Sequence, residues 1–178
     1  MDFQTVISSL LKSFGEHRIR YSLIGGFALG LWGVARATVD LDFLVRREDR
    51  EKVTQGMREL GYELKFQSEN VSQYVSPLKL FGEVDFLHAF RRASIEMLDR
   101  AVEKEIFAGK ARIKVLQPAD LVGLKLQAIK NNPSRKEQDL ADIESLVLAQ
   151  KARLDWTLIE TYAEALDAQD LLKEIRKG

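Results

Sequence analysis

The chain has 178 residues, of which 46% are hydrophobic and 30% charged, as in a folded globular protein rather than a disordered one. Its formal net charge is zero, which gives no support to a dedicated nucleic-acid or membrane-surface binder. The absence of cysteine excludes disulfides and thiolate metal sites, and it favours a reducing, cytoplasmic location. No signal peptide is evident, and the most apolar long window, residues 22–35, is too short and glycine-rich to span a bilayer.

The first part of the chain predicts helices interspersed with strands, because its apolar residues recur first at helical and then at alternating spacing. The expected elements are a helix over 3–14 closed by Gly15, a strand over 21–24, a helix over 27–32, a strand over 39–45, a helix ended by Gly61, strands over 62–66 and 71–75, extended chain over 79–81, a strand over 83–87, a helix over 94–102 capped by Ser94, and a hairpin over 106–115. From Pro118 onward the pattern predicts helices only, with a break at residues 131–134. We therefore expect a core over residues 1–116 and a helical segment over 117–178 packed on it.

Two aspartates stand out in the second predicted strand. Asp40 and Asp42 alternate with an apolar row, listed in order as Val39, Leu41, Phe43 and Val45. Because side chains alternate across a strand, both carboxylates fall on the face opposite that row, with Cα atoms about 6.5–7 Å apart. Two carboxylates at this spacing can hold one or two divalent cations. The same pattern also fits the solvated face of an edge strand.

A third aspartate repeats this arrangement in the strand over 83–87. Asp85 lies between Val84 and Phe86, which point to the other face. If the two strands are neighbours, Asp40, Asp42 and Asp85 converge on one face of a sheet. Three hard oxygen ligands suit Mg²⁺ or Mn²⁺, with substrate phosphates and water completing an octahedron.

Gly25 and Gly26 follow the first strand and lead into a helix. Glycines at such a junction let a phosphate chain approach the backbone, where free N–H groups and the helix dipole attract anions. A Gly-Gly pair on its own is more often a simple turn. Its value lies in preceding the Asp40–Asp42 pair.

Taken together, these residues resemble the nucleotidyltransferase superfamily that includes DNA polymerase beta. Its signature is a Gly-Gly or Gly-Ser pair, then Asp-x-Asp or Asp-x-Glu on a strand, then a later strand aspartate, matched here by Gly25-Gly26, Asp40-x-Asp42 and Asp85. The helical stretches LVGLKLQAI and RKEQDLADIESL look most like stand-alone bacterial AbiEii-type toxins. The resemblance implies an α+β fold with a mixed β-sheet, helices on one face and the carboxylate site on the other, followed by a C-terminal helical segment.

The resemblance also implies an activity: transfer of a nucleoside monophosphate from an NTP to an acceptor hydroxyl, with release of pyrophosphate. Asp40 and Asp42 would hold one Mg²⁺ or Mn²⁺ on the triphosphate, and Asp85 would share a second ion, take the proton, or do both. The acceptor could be an RNA end such as tRNA, a protein or a small molecule. An antitoxin partner is expected if the protein is a toxin.

Further nucleotide contacts are predicted with less support from the residues. Arg36 and Thr38 precede the aspartates, where a guanidinium could reach phosphate oxygens. By resemblance, Lys125 is a triphosphate contact, although it could equally extend from a helix edge to solvent. Where relatives often carry serine, this chain has Gly26, so a hydroxyl contact to phosphate is missing there.

Two other functions remain open on the sequence. The chain could bind nucleotide with little turnover and act through protein contacts in a toxin–antitoxin pair, although three crowded carboxylates have no physical purpose in such a protein. A nuclease would also use carboxylate pairs, but the Gly-Gly helix entry favours a triphosphate.

Overall fold

The computed structural model describes residues 1–176, in which eight helices and seven strands are formed. The helices are α1 (Phe3–Glu16), α2 (Gly25–Leu31), α3 (Arg50–Glu59), α4 (Arg92–Arg100), α5 (Pro118–Asn131), α6 (Lys136–Gln150), α7 (Trp156–Ala165) and α8 (Gln169–Ile175). The strands are β1 (Tyr21–Ile24), β2 (Asp40–Arg46), β3 (Glu63–Gln67), β4 (Val71–Val75), β5 (Glu83–Ala89), β6 (Val102–Ile106) and β7 (Ala111–Val115). The predicted α+β class is confirmed.

The seven strands form one mixed sheet in the order β3-β4-β5-β2-β1-β7-β6. Two neighbouring pairs, β2 with β5 and β1 with β7, are parallel, and the other pairs are antiparallel. The strand that carries Asp40 and Asp42 is therefore a direct neighbour of the strand that carries Asp85.

Aromatic packing identifies the core face of this sheet. Phe14 of α1 contacts Phe43 of β2 and Phe86 of β5, with ring centroids 5.3 and 6.1 Å apart. Tyr74 of β4 lies 5.7 Å from Phe86 and its hydroxyl hydrogen-bonds Thr54 of α3. Helices α1 and α3 therefore cover the face on which these aromatic rings project, and the residues between them on β2 and β5 project to the opposite face.

Several element boundaries differ from the sequence predictions. The prediction that Val39 belongs to the apolar row of the second strand is wrong, because Val39 precedes β2 and is 78% exposed. Helix α1 continues through Gly15 to Glu16, and α4 begins at Arg92, where Ser94 bonds back to the Arg91 carbonyl instead of capping. Two predicted segments are also wrong in type: residues 79–81 form a turn rather than extended chain, and residue 102 begins β6 rather than ending α4.

The described chain forms two compact units. The first comprises residues 1–28 and 37–116, with the whole sheet; the second comprises residues 29–36 and 117–176, with α5 to α8. Within the second unit, Tyr162 of α7 donates a hydrogen bond to buried Asp120 of α5, 2.7 Å long. Its ring fills the space beside Gly123, where an added Cβ would lie 2.5 Å from the Tyr162 ring. The assignment of these parts as domains stays a prediction.

No helix in the described part of the chain is both long enough and apolar enough to cross a membrane.

Candidate active site

The register of the sheet determines where the three aspartates lie. Asp42 of β2 stands directly opposite Asp85 of β5, and Asp40 stands opposite Glu83. Residues paired in this way project to the same face, so four carboxylates share the face opposite Phe43 and Phe86. Because β2 and β5 are parallel and adjacent, an aspartate pattern on two separate stretches of sequence becomes one local cluster.

Asp40 lies at the start of β2 and is held by Thr38. The Thr38 hydroxyl donates a 2.7 Å hydrogen bond to Asp40 Oδ1. The same hydroxyl oxygen lies 2.8 Å from where a Cβ on Gly26 would be. A side chain at residue 26 would therefore occupy the same space as the Thr38 hydroxyl. Glycine at residue 26 thus leaves Thr38 room to make its hydrogen bond to Asp40.

Asp42 lies against the other glycine of the pair. A Cβ built on Gly25 would fall 1.9 Å from Asp42 Oδ2 and 2.9 Å from Asp42 Cβ, so no side chain fits there without displacing this carboxylate. Gly25 also has φ +66°, a backbone conformation that other residues adopt at a cost. Helix α2 begins at Gly25 itself and has seven residues. The Gly-Gly pair thus provides room for Asp42 at the start of this helix.

Asp85 has the most unusual environment of the three. Gln73 of β4 donates a 2.7 Å hydrogen bond to its Oδ2 atom, while Oδ1 is buried and has no hydrogen-bond partner among residues 1–176. Burial raises the pKa of Asp85, and the nearby charges of Asp40 and Glu83 raise it further, against the opposing hydrogen bond from Gln73 and charge of Lys65. A cation beside Oδ1 would offset both the free-energy cost of burying the charged carboxylate and the repulsion from the neighbouring carboxylates.

Two residues of this face were not predicted from the sequence. Glu83 follows the same alternation as Asp85, and Lys65 of β3 donates to both its carboxylate oxygens at 2.8 Å. Gln73 alternates with buried Ser72 and Tyr74 on β4, which places it on the carboxylate face. Period-two spacing could have found Glu83, whereas Gln73 depends on the pairing of β4 with β5.

The face does not contain a preassembled three-ligand site. Within the described residues, no group of three or more His, Asp or Glu side chains is arranged to hold a metal ion. Asp40 is instead turned toward Thr38, and Asp85 toward Gln73. The donor set is nevertheless of the right kind for Mg²⁺ or Mn²⁺, because it consists of hard carboxylate oxygens, and the unpartnered Asp85 Oδ1 is an available ligand atom. The residues therefore fit a divalent cation.

The predicted nucleotide contacts Arg36 and Lys125 lie in the second unit, within a charged cluster. Lys125 of α5 is 12% exposed and donates to Asp139 at 2.8 Å and to Asp142 at 2.6 Å, both on α6. Arg36 also pairs with Asp142, and Arg135 donates to Asp139 at 2.9 Å. Burial raises the pKa of Asp139, but hydrogen bonds and charges from Arg135 and Lys125 outweigh it, so the net pKa is lowered. Both predicted phosphate contacts thus already have carboxylate partners.

His88, which follows Asp85 by three residues, belongs to the core. Its ring nitrogens hydrogen-bond Ser72 at 3.0 Å and the Glu69 carbonyl at 3.1 Å, and the side chain is buried. Burial lowers the pKa of His88, aided by the charges of Arg50 and Arg47. A neutral histidine with both nitrogens satisfied is a structural residue of β5 rather than a member of the carboxylate cluster.

A family comparison decides the class of protein. Residues 3–177 match the family described as uncharacterised nucleotidyltransferase. The chain belongs to this family. The predicted superfamily and the prediction of a transferase enzyme are thereby confirmed, while the AbiEii-type subtype stays a prediction. No curated protein matches the chain in sequence.

Solved structures share the fold of this nucleotidyltransferase at low sequence identity. The antibiotic-resistance factor ANT(2'')-Ia is 16% identical, with 99% of this chain and 98% of that chain covered and a TM-score of 0.68. Its complex with adenylyl-2''-tobramycin is 17% identical, covers 93% and 97%, and has a TM-score of 0.66. The lincosamide adenylyltransferase LnuA, bound to lincomycin, is 15% identical, covers 80% and 94%, and has a TM-score of 0.56.

Proposed function

We propose that this nucleotidyltransferase transfers a nucleoside monophosphate from an NTP to a hydroxyl group of a small molecule, in a reaction that depends on Mg²⁺ or Mn²⁺. The observation that carries the proposal is the placement of Asp42 directly opposite Asp85 on neighbouring parallel strands, with Asp40 on the same face. Carboxylates crowded in this way raise the free energy of the empty site, and a bound cation relieves the repulsion.

The proposed reaction is one displacement at phosphorus. The acceptor oxygen bonds to the α-phosphorus, the bond from the α-phosphorus to the bridging oxygen breaks, and pyrophosphate leaves with that oxygen. Asp85 accepts the hydroxyl proton. A bound divalent cation supplies charge stabilisation at the phosphate oxygens and a lowered pKa for the acceptor hydroxyl.

The remaining site residues are proposed to bind or position the triphosphate and the cation. Asp40 and Asp42 would hold a divalent cation for the triphosphate, and Asp85 would hold or share the metal ion that activates the acceptor hydroxyl. Thr38 holds Asp40 in place through its hydroxyl, and Gly25 leaves room for Asp42. The triphosphate is proposed to approach the backbone at Gly25 and Gly26 on the sides that Asp42 and Thr38 do not occupy. Arg36 and Lys125 remain proposed phosphate contacts, which would have to share their charge with Asp139 and Asp142.

A small-molecule acceptor is favoured over a long nucleic acid. The formal net charge of zero offers few surplus cations for a phosphate backbone. Two solved structures with this fold contain an antibiotic: adenylyl-2''-tobramycin is bound to ANT(2'')-Ia, and lincomycin is bound to LnuA. These compounds are hydroxyl-bearing small molecules, and they supply the first acceptors to try.

The proposal is tested by incubating the full chain with each α-labelled NTP, Mg²⁺ or Mn²⁺, and separate acceptors: tobramycin, lincomycin, a small-molecule extract, bulk tRNA, and the protein itself. We expect metal-dependent label on a small molecule, with pyrophosphate released in equal amount. Label on tRNA or protein alone would contradict the acceptor class. NTP binding without transfer to any acceptor would contradict the enzymatic proposal and favour a low-turnover partner in a toxin–antitoxin pair.

A further inference from the structure

Gln73 lies on β4, the strand next to β5, and its side chain is on the carboxylate face. It pairs directly with Asp85 in the antiparallel register of β4 and β5, and its neighbours Ser72 and Tyr74 are buried on the other face. The backbone pairing therefore directs the Gln73 side chain to the same face as Asp85. Gln73 is half-buried, so its amide sits where water competes less well for the carboxylate.

The hydrogen bond between these residues fixes one carboxylate oxygen and leaves the other available. Gln73 Nε2 donates to Asp85 Oδ2 at 2.7 Å, while Asp85 Oδ1 is buried without a partner in the described part of the chain. The terminal torsion of an aspartate has a broad, roughly two-fold distribution, so the carboxyl group has no strong intrinsic orientation. A single directional donor on one oxygen removes that freedom and determines where the second oxygen lies.

The chemical type of the donor also matters. A lysine or arginine at residue 73 would hold Asp85 equally well, but its positive charge would compete with a cation for the same carboxylate. Gln73 orients Asp85 without neutralising it. The lysine on the adjacent strand, Lys65, is directed instead to Glu83, with both carboxylate oxygens at 2.8 Å.

We propose that Gln73 is a positioning residue, whose amide holds Asp85 so that Oδ1 is presented to a divalent cation. This inference rests on the proposed function, because it assumes that Asp85 binds a metal ion. Gln73 itself touches neither the metal nor the substrate. Residues that orient metal ligands in this way typically change metal affinity by about 10- to 100-fold when they are removed.

The test measures Mn²⁺ binding by electron paramagnetic resonance, using the signal of free Mn²⁺, and nucleotidyl transfer in parallel. Four proteins are compared with the wild type: Gln73→Met, Asp85→Asn, the double variant, and Gln67→Met as a matched control. Gln67 lies on the exposed strand β3 and undergoes the same chemical change away from the carboxylates. If Gln73→Met does not fold, Gln73→Val suits a strand and has no polar group to donate to Asp85.

We expect Gln73→Met to weaken Mn²⁺ binding about 10-fold and Gln67→Met to leave it unchanged. In the Asp85→Asn background the Gln73 substitution should have no further effect on Mn²⁺ affinity, which a merely structural role would not produce. Wild-type affinity in Gln73→Met, or an equal loss with and without Asp85, would overturn the role of Gln73 alone. Mn²⁺ affinity that Asp85→Asn leaves unchanged would instead overturn the assignment of Asp85 in the proposed function.

Discussion

Carboxylates cluster in two regions of this protein, and their partners differ. In the second unit, Asp139 and Asp142 are paired with Lys125, and Arg36 and Arg135 complete the charge balance. On the sheet face of the first unit, Asp40 accepts from the neutral hydroxyl of Thr38 and Asp85 from the neutral amide of Gln73. The first arrangement is satisfied as it stands, whereas the second gains from an added cation. The comparison separates acidic residues that are paired within the fold from those that we propose bind a cation.

The largest effect is expected from Asp42→Asn. Loss of one proposed metal ligand should reduce transfer by about 10³-fold, corresponding to the several kcal/mol that a bound metal supplies. The matched control is Glu83→Gln on the same face, whose carboxylate is paired with Lys65 and which should retain most activity. Steady-state rates of pyrophosphate release measure both variants. Equal losses in the two would show that Asp42 has no special role.

Gly25→Ala should be the next most damaging change. The new Cβ would collide with Asp42, 1.9 Å from its Oδ2 atom, and the positive φ of residue 25 adds strain. We expect transfer to fall by about 10²-fold, since displacement of a reacting group by 1 Å has that order of effect. Gly30→Ala in the same helix is the control, because a Cβ there meets nothing within 4 Å. Comparable activity of the two variants would contradict the packing argument.

Lys125→Met tests the paired region. Removing the lysine leaves Asp139 and Asp142 buried with weaker compensation, and the free energy of unfolding should fall by about 3 kcal/mol. Lys173→Met, which removes a solvent-exposed ion pair, should leave the free energy of unfolding almost unchanged. Chemical denaturation measures both. If Lys125→Met keeps full stability, the pairing with Asp139 and Asp142 does not support the fold, and a raised KM for the NTP would leave Lys125 only its proposed role as a phosphate contact.

The same region should respond to acid. The pKa of Asp139 is lowered from 3.8, so its ionised form contributes stability that is present above pH 3.8 and is lost as the pH falls through the lowered value. Asp139→Asn should therefore lose stability at neutral pH and show a flatter dependence of unfolding free energy on pH below 4. Parallel acid dependence in the two proteins would contradict this assignment.

The smallest effect concerns Asp85 and has the opposite sign. Its pKa is raised from 3.8, so its contribution to stability is present below pH 3.8 and is lost as the pH rises through the raised value. Without metal, Asp85→Asn should raise Tm at pH 7, and the gain should shrink toward pH 4. The gain will be small because the side chain is only half-buried and solvent screens it. A lower Tm at pH 7 would contradict the repulsion inferred for this face.

The sequence predicted the three aspartates of the carboxylate face better than the residues that surround them. Alternating spacing on two strands was enough to place Asp40, Asp42 and Asp85 on the strand faces opposite the apolar residues. That β2 and β5 are neighbours depends on long-range pairing, which local spacing does not encode. Gln73 was missed for this reason, since its link to Asp85 exists only through the pairing of β4 with β5.

The boundary errors have local physical causes. Glycine tends to end helices because it adopts a positive φ, but after α1 the residue with a positive φ is Arg18, and the helix continues through Gly15 to Glu16. Val39 fits the alternation of β2, yet the hydrogen-bonded strand begins only at Asp40, where pairing with Glu83 starts. The positions of Arg36 and Lys125 could not be predicted from spacing, because their carboxylate partners lie more than ten residues away in sequence.

The central claim is that a divalent cation binds the carboxylate face rather than the paired cluster. The most direct test is a crystal structure of the full chain with Mn²⁺ and a non-hydrolysable NTP analogue, in which anomalous scattering locates the metal. The account predicts an anomalous peak bounded by carboxylate oxygens of Asp40, Asp42 and Asp85. A peak at Asp139 and Asp142, or bound nucleotide with no metal at the three aspartates, would contradict it.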